Sequence, residues 1–199
     1  MAQSQVWNVY NLWVRDHVEL GIGPYQVPVP WLQSLDGVAP ILVMPIFLAL
    51  WRRQAARGSE PDDLGKIAIG CLIFGAGTFW LAGASFVAGA DGRAPLLWAV
   101  GFHLISNVGW LYVAPIALAL FATRAPESVR GMMIGANYLN VFFASTIAGR
   151  IGGLYEEQVS ASTFWLIHAA VVAGGGVALL VLSRPLRKLL SAGIDTRNR

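Results

Sequence analysis

Four stretches of this chain run without a single charged residue: Ile67–Ala90, Ala94–Thr123, Gly131–Gly149 and Gln158–Ser183. A fifth, Pro30–Trp51, holds only Asp36. Each reaches the roughly 18 residues that cross a hydrocarbon core about 30 Å thick at the helical rise. Inside lipid a backbone must satisfy its own N–H and C=O groups, so such runs are helices. Charged residues make up 13% of the chain, against about 25% in soluble domains. The expectation is an all-α integral membrane protein with five full spans and no loop large enough for a soluble catalytic domain.

Before these runs, Ala2–Val14 is apolar but dotted with Gln3, Gln5, Asn8 and Asn11. Its 13 residues reach only about 20 Å, so it reads as the later part of a truncated helix. The connector GIGPYQVPVP follows, and its prolines exclude helix. The spans expected are near 1–15, 31–52, 66–89, 95–122, 128–153 and 161–183. They form one transmembrane domain over 1–190, with a basic cytoplasmic tail at 184–199. Lys and Arg fix the orientation. Arg52, Arg53, Arg57, Lys66, Arg124, Arg130, Arg184, Arg187, Lys188, Arg197 and Arg199 fall at one set of ends, and only Arg15, Arg93 and Arg150 at the other. The richer side is cytoplasmic, the C-terminus lies inside, and loops around Asp16, Asp91 and Glu156 face out. The net charge of +3 is explained by this asymmetry, and no nucleic-acid partner is expected. Cys71 is the sole cysteine, so no disulfide forms. No signal peptide is read at the N-terminus.

Local chemistry agrees with these boundaries. SEPDDLGK places Pro61 near a first turn with Glu60, Asp62 and Asp63 at the positive dipole end; APESVRG repeats the device. Gly131 and Gly135, and Gly149, Gly152 and Gly153, are read as points of close helix approach. Trp13, Trp31, Trp98 and Trp165 are assigned to the outer aromatic belt and Trp51 to the inner one.

Polar side chains inside spans are expensive and face protein or an aqueous cavity. Here they recur three residues apart, on one helix face: Gln5 and Asn8, Gln33 and Asp36, Asn107 and Trp110, Asn137 and Asn140. Two readings stand. The four faces converge on a polar cavity, or each pair bonds a neighbouring helix and fixes packing. Asp36 either caps the helix continuing through Gly37, or is a cavity carboxylate that meets a cationic group or takes up a proton. His103 is read as an interhelical hydrogen-bonding group or a proton relay, His168 as interfacial. No HExxH, CxxC, GxSxG or Walker loop occurs; no enzyme, cofactor or metal is expected.

VPVPWLQSLDGVAPILVMPIF resembles the eighth-helix signature of the proton-dependent oligopeptide transporters, a branch of the major facilitator superfamily, through Trp31, Gln33, Ser34, Leu35, Pro45 and Phe47. QVWNVYNLW resembles the end of helix seven, RGSEPDDLGKIAIG the loop into helix nine, and VGWLYVAPIALALFATRAPESVRGMMIG helices ten and eleven. The resemblance implies the C-terminal six-helix half of such a transporter, its first helix truncated. The N-terminal six-helix half is missing, and the fragment is expected to be inactive alone. It further implies a bacterial inner-membrane symporter that couples protons to di- and tripeptides by alternating access. A decayed bundle acting only as an interaction partner is the alternative. Departures from the pattern are specific. Ser4 stands where helix seven of the family carries Glu, Trp110 where helix ten carries the acid for the peptide amino terminus, and Asn137 where helix eleven carries Trp. Asp36 replaces the family's helix-eight Asn. The site expected from pattern and resemblance is Gln5, Asn8, Gln33, Asp36, Asn107, Trp110, Asn137 and Asn140, with Asp36 the proton-coupling candidate.

Overall fold

The computed structural model describes residues 2–88, 91–155 and 157–195, with side chains to 187. Arg197 and Arg199 of the expected tail, the side chain of Lys188, residue 89 of the third expected span, and Glu156 lie outside the described residues. The chain is helical almost throughout: α1 (Ala2–Gln5), α2 (Val9–His17), α3 (Val29–Ala56), α4 (Asp63–Gly83), α5 (Leu96–Arg124), α6 (Arg130–Gly152) and α7 (Ala161–Asp195). Among the described residues four helical segments are long and apolar enough to cross a membrane: Val29–Ala56, Asp63–Phe86, Leu96–Arg124 and Ala161–Arg187. At 23 residues, α6 has the length, about 35 Å. Its two arginines and two asparagines keep it below the apolarity of the other four.

The order of packing is set by glycine. Helix α4 lies between α5 and α7. A Cβ added at Gly70 would fall 2.7 Å from the Gly109 carbonyl oxygen, and one at Gly109 would fall 2.7 Å from the Phe74 amide nitrogen. On the other side of α4, Gly75 meets Ala173 and Ala169 of α7 at 3.1–3.3 Å. Small residues thus bring two backbones together where no hydrophobic force separates helix from lipid. Gly131, Gly135 and Gly149 have open space around them instead, so the expected close approach there does not occur; Gly152 is the member of that set that meets another helix.

Among the long helices α3 packs mainly on α5, and α6 packs mainly on α5 and α1. Only Leu32 and Ala39 of α3, and Ala148 of α6, are buried. Pro30 sits in the first turn of α3, while Pro40, Pro45, Pro115 and Pro185 lie inside helices. Each removes one i−4 bond, which membrane helices tolerate where neighbours re-satisfy the backbone.

Four expectations change. The first segment is not one helix over 1–15: it breaks between α1 and α2, where Val6, Trp7 and Asn8 donate to carbonyls three residues back, and Asn8 leaves helical geometry (φ −123°, ψ −99°). The connector and the loop before α5 carry four two-residue strands: β1 (Val18–Glu19) pairs in parallel with β4 (Ala94–Pro95), and β2 (Gly21–Ile22) pairs antiparallel with β3 (Tyr25–Gln26) around Gly23 at φ 58°. The tail from 184 is not separate from the last span, because α7 continues to Asp195. Trp13 and Trp165 do not face outward as belt residues would. They are buried and packed edge-to-face at 6.4 Å, within a core that includes Tyr10, Phe102, Phe164 and Leu81.

On the side carrying most of the arginines, Asp62 caps α4 by accepting from the Gly65 amide (3.2 Å) and also receives two bonds from Arg187, each 2.8 Å. Lys66 pairs with Glu60 and lies 4.7 Å from the Trp51 ring centroid.

Candidate functional site

The polar residues of the spans resolve into three local networks. The first joins α3 to α5. Asp36 lies seven residues inside α3, so it is not a helix cap. Its Oδ1 is 2.8 Å from His103 Nδ1 and accepts from Asn107 Nδ2 at 2.8 Å. Asn107 Nδ2 also donates to the His103 carbonyl oxygen one turn back, at 2.8 Å, which fixes its rotamer. The His103 side chain is wholly buried, and that of Asp36 is 14% exposed. Tyr10 stands edge-on to the imidazole, with centroids 5.0 Å apart, and donates to the Ala99 carbonyl oxygen. Asp36 Oδ2 and His103 Nε2 are buried and have no hydrogen-bond partner among the described residues.

The second network closes the break in the first helix. Gln5 is wholly buried; its Nε2 donates to the Ala148 carbonyl oxygen of α6 at 2.9 Å and lies 3.4 Å from His168 Nε2 of α7. Asn8 Nδ2 donates to Gln5 Oε1 at 3.2 Å. A Cβ on Gly152 would fall 2.5 Å from Asn8 Nδ2, so glycine is needed there for the broken turn to seat against α6. His168 is correspondingly buried rather than interfacial. Its Nδ1 donates to the Phe164 carbonyl oxygen (2.9 Å), leaving Nε2 to accept from the Gln5 amide. In the third network Gln33 Nε2 donates to Asn11 Oδ1 (2.7 Å) and to the Val6 carbonyl oxygen (3.2 Å), the latter within the unwound turn.

The eight expected residues therefore fall into two groups. Gln5 with Asn8, Gln33, and Asp36 with Asn107 are tied to neighbouring elements. Trp110 is 39% exposed, and Asn137 and Asn140 make no side-chain hydrogen bond among the described residues. Sequence spacing did not give His103 and Asn11 their places in these networks, because both partners sit on other helices. Two voids among the described residues are not lined by the expected residues. One, of about 320 Å³, lies at the end of the bundle opposite most of the arginines and includes Trp13, His17, Ser85 and Ser162. The other, of about 440 Å³, is an apolar groove between α4 and α7. Near the first, Arg15 bonds Asp16 through Nε and Nη2, both at 2.7 Å, and holds the Asp16 carboxyl below its ordinary range.

Membrane-length helices, cross-linked by buried hydrogen bonds and with α3 and α6 largely uncovered, define a polytopic helical membrane protein. Its family is given by comparison: the model of the POT family matches residues 1–166, and the chain belongs to that family. It is 28% identical over 188 residues to the peptide transporter YePEPT of Yersinia enterocolitica subsp. palearctica, covering 92% of this chain and 36% of that protein. It is 24% identical over 166 residues to a di-/tripeptide transporter of Lactococcus lactis subsp. cremoris, covering 83% and 33%. The fold matches a crystal structure of peptide transporter POT in complex with sulfate, with a TM-score of 0.85 at 19% identity over 94% of this chain and 37% of that one. The chain thus spans about a third of the length of these relatives. Its relatives are transporters, not enzymes.

Proposed function

We propose that this chain acts as the C-terminal six-helix half of a proton-coupled di- or tripeptide symporter, working by alternating access against an N-terminal six-helix half. The observation that carries the reading is the family match over residues 1–166. The open faces of α3 and α6 support it: a second helical body facing them would cover surface that this chain leaves bare. On this reading Asp36, Trp110, Asn137 and Asn140, with Asn8, are the groups presented to substrate, and Gln5, Gln33 and Asn107 hold the scaffold that positions them. The C-terminus faces the cytoplasm, following the arginine asymmetry. Peptides, protons, the bilayer and the N-terminal half are the partners.

Uptake in proteoliposomes tests the proposal. The chain alone is expected to accumulate no dipeptide under an inward proton gradient. Joined to the N-terminal half of the Yersinia enterocolitica relative, it is expected to accumulate dipeptide in a gradient-dependent way. Gradient-driven accumulation by the chain alone, or none by the joined protein inserted in the membrane, contradicts the reading.

A further inference from the structure

The two buried histidines of this protein differ in one respect that matters chemically. Both ring nitrogens of His168 are engaged, Nδ1 by the Phe164 carbonyl oxygen and Nε2 by the Gln5 amide. A proton added at its Nε2 would face a donor already pointing at it. His103 has Nδ1 engaged by Asp36 and Nε2 engaged by nothing among the described residues, although its side chain is wholly buried. Across the contact Asp36 presents the matching vacancy: Oδ1 accepts from both His103 and Asn107, while Oδ2 is buried and bonded to nothing among the described residues. Buried polar atoms are nearly always satisfied, and one left open carries a desolvation cost of about 1–3 kcal/mol. Two such atoms on two titratable groups that touch each other are a vacancy of a particular kind.

We infer that Asp36 and His103 form a single proton-binding site, whose loaded state is an imidazolium–carboxylate pair of zero net charge. In the unloaded state neutral His103 donates Nδ1–H to the Asp36 carboxylate, leaving a net charge of −1 in the membrane interior. Loading transfers one proton from hydronium to His103 Nε2. One N–H bond forms, one O–H bond of hydronium breaks, no electron changes hands, and unloading reverses the step. The surroundings favour this assignment. His103 is the cationic partner the structure gives Asp36 among the described residues. The groups facing the pair are Tyr10 from α2, which stands edge-on to the imidazole and whose hydroxyl is committed to Ala99, and the uncharged Asn107 from α5. Gln33, three residues before Asp36 on α3, is uncharged and bonded to Asn11. A lone carboxylate in such a place is costly, and pairing with a protonated partner removes the net charge. Asn107 is the positioning residue: by bonding both the His103 carbonyl oxygen and Asp36 Oδ1 it holds the carboxylate against the ring.

The inference adds a proton site to the transport reading, yet it is tested without transport. The native chain, labelled with ¹⁵N-histidine and ¹³C-aspartate in lipid nanodiscs, is titrated between about pH 4.5 and about pH 8.5, a window around the ordinary histidine range. The His103→Gln and Asp36→Asn variants assign the signals. The expected result is loss of the bare-nitrogen His103 signal on acidification, in step with a change at the Asp36 carboxyl, because coupled groups titrate as a unit. In Asp36→Asn, His103 is expected to keep its bare nitrogen throughout. A His103 signal unchanged across the window in the native chain, while exposed groups titrate normally, overturns the inference. So does a His103 transition that survives Asp36→Asn. If that variant does not fold, His103→Gln decides: an Asp36 carboxyl curve identical to the native one overturns the inference, and loss of the coupled change supports it. A normal His103 transition together with no uptake by the joined transporter would sink the transport reading and leave the proton site standing.

Discussion

Replacing Gly109 by alanine is expected to destabilise the bundle, and the same change at Gly135 is not. At Gly109 the new Cβ would sit 2.7 Å from the Phe74 amide nitrogen, 2.8 Å from the Gly70 carbonyl oxygen and 3.0 Å from the Phe74 Cα. All three are backbone atoms, so no rotamer change relieves them. Restoring ordinary contact requires α5 to withdraw from α4 by roughly 0.7 Å, enough to forfeit a quarter to a half of each dispersion contact along the crossing. Overpacking of this kind costs about 1–3 kcal/mol, occasionally more. Against it stands the helix-propensity gain of Gly→Ala, about 0.8–1.0 kcal/mol. The net loss is up to about 2 kcal/mol, or up to about 8 °C in melting temperature for a chain of this size. At Gly135 a Cβ meets nothing within 4 Å, so only the propensity gain remains. That variant is expected to melt at the native temperature or a few degrees above it. Thermal unfolding of both variants and the native chain, followed by circular dichroism in the same nanodiscs, makes the comparison internal. A Gly109→Ala chain as stable as the Gly135→Ala chain, or a Gly135→Ala chain that loses stability while Gly109→Ala does not, would refute the backbone-contact reasoning.

Three further outcomes follow from the networks and the ends of the helices. Gln5→Leu removes the donor to the Ala148 carbonyl oxygen and to His168 Nε2, and the acceptor of Asn8 Nδ2; the expected loss is about 1–3 kcal/mol, read by the same melting experiment. Arg187→Ala removes both bonds to Asp62. Both partners are largely exposed, so global stability is expected to change by less than about 1 kcal/mol, while amide exchange in the last turns of α7 rises at low salt. Asp16, held below the ordinary carboxylate range mainly by its hydrogen bond from Arg15, gives stability present above the unfolded carboxylate range and lost as pH falls through the lower folded value. Its ¹³C carboxyl signal is expected to stay in the ionised form below the pH at which a free aspartate titrates, and to return to the ordinary range in Arg15→Ala.

That the long uncharged runs are helices is legible in this sequence because lipid leaves few alternatives. Asp62 was legible as a start signal and is the N-cap of α4. What escaped depends on groups far apart in sequence. Gly131 and Gly135 look like a close-packing motif and lie open, whereas Gly70 and Gly109, separated by a whole loop, touch backbone to backbone. The break at Val6–Asn8 has no proline to announce it; Gln5, Gln33 and Gly152 from three different elements hold it. Tryptophan near a span end suggested the lipid boundary, but Trp13 and Trp165 find each other in the core instead. Polar spacing located Asp36 and Asn107, yet the partner joining them, His103, lay one helical turn before Asn107 on the same face and was read separately from it.

The departures from the family pattern are linked through this geometry. Trp110 removes a carboxyl group from α5 at the position where the family resemblance places one, and Asp36 adds one on α3. The two positions are on helices that pack directly against each other. Asn107, which bonds Asp36, lies three residues before Trp110 on the same helix. On α3 the added acid meets His103, whose Nδ1 lies 2.8 Å from its Oδ1. An acid restored at Trp110 would place a second carboxyl one helical turn from Asn107 without a second imidazole. Trp110→Glu is therefore expected to destabilise the native chain and to be better tolerated alongside Asp36→Asn. Melting temperatures of the two single variants and the double variant measure that coupling. Simple additivity would separate the two positions and break the link between the two substitutions.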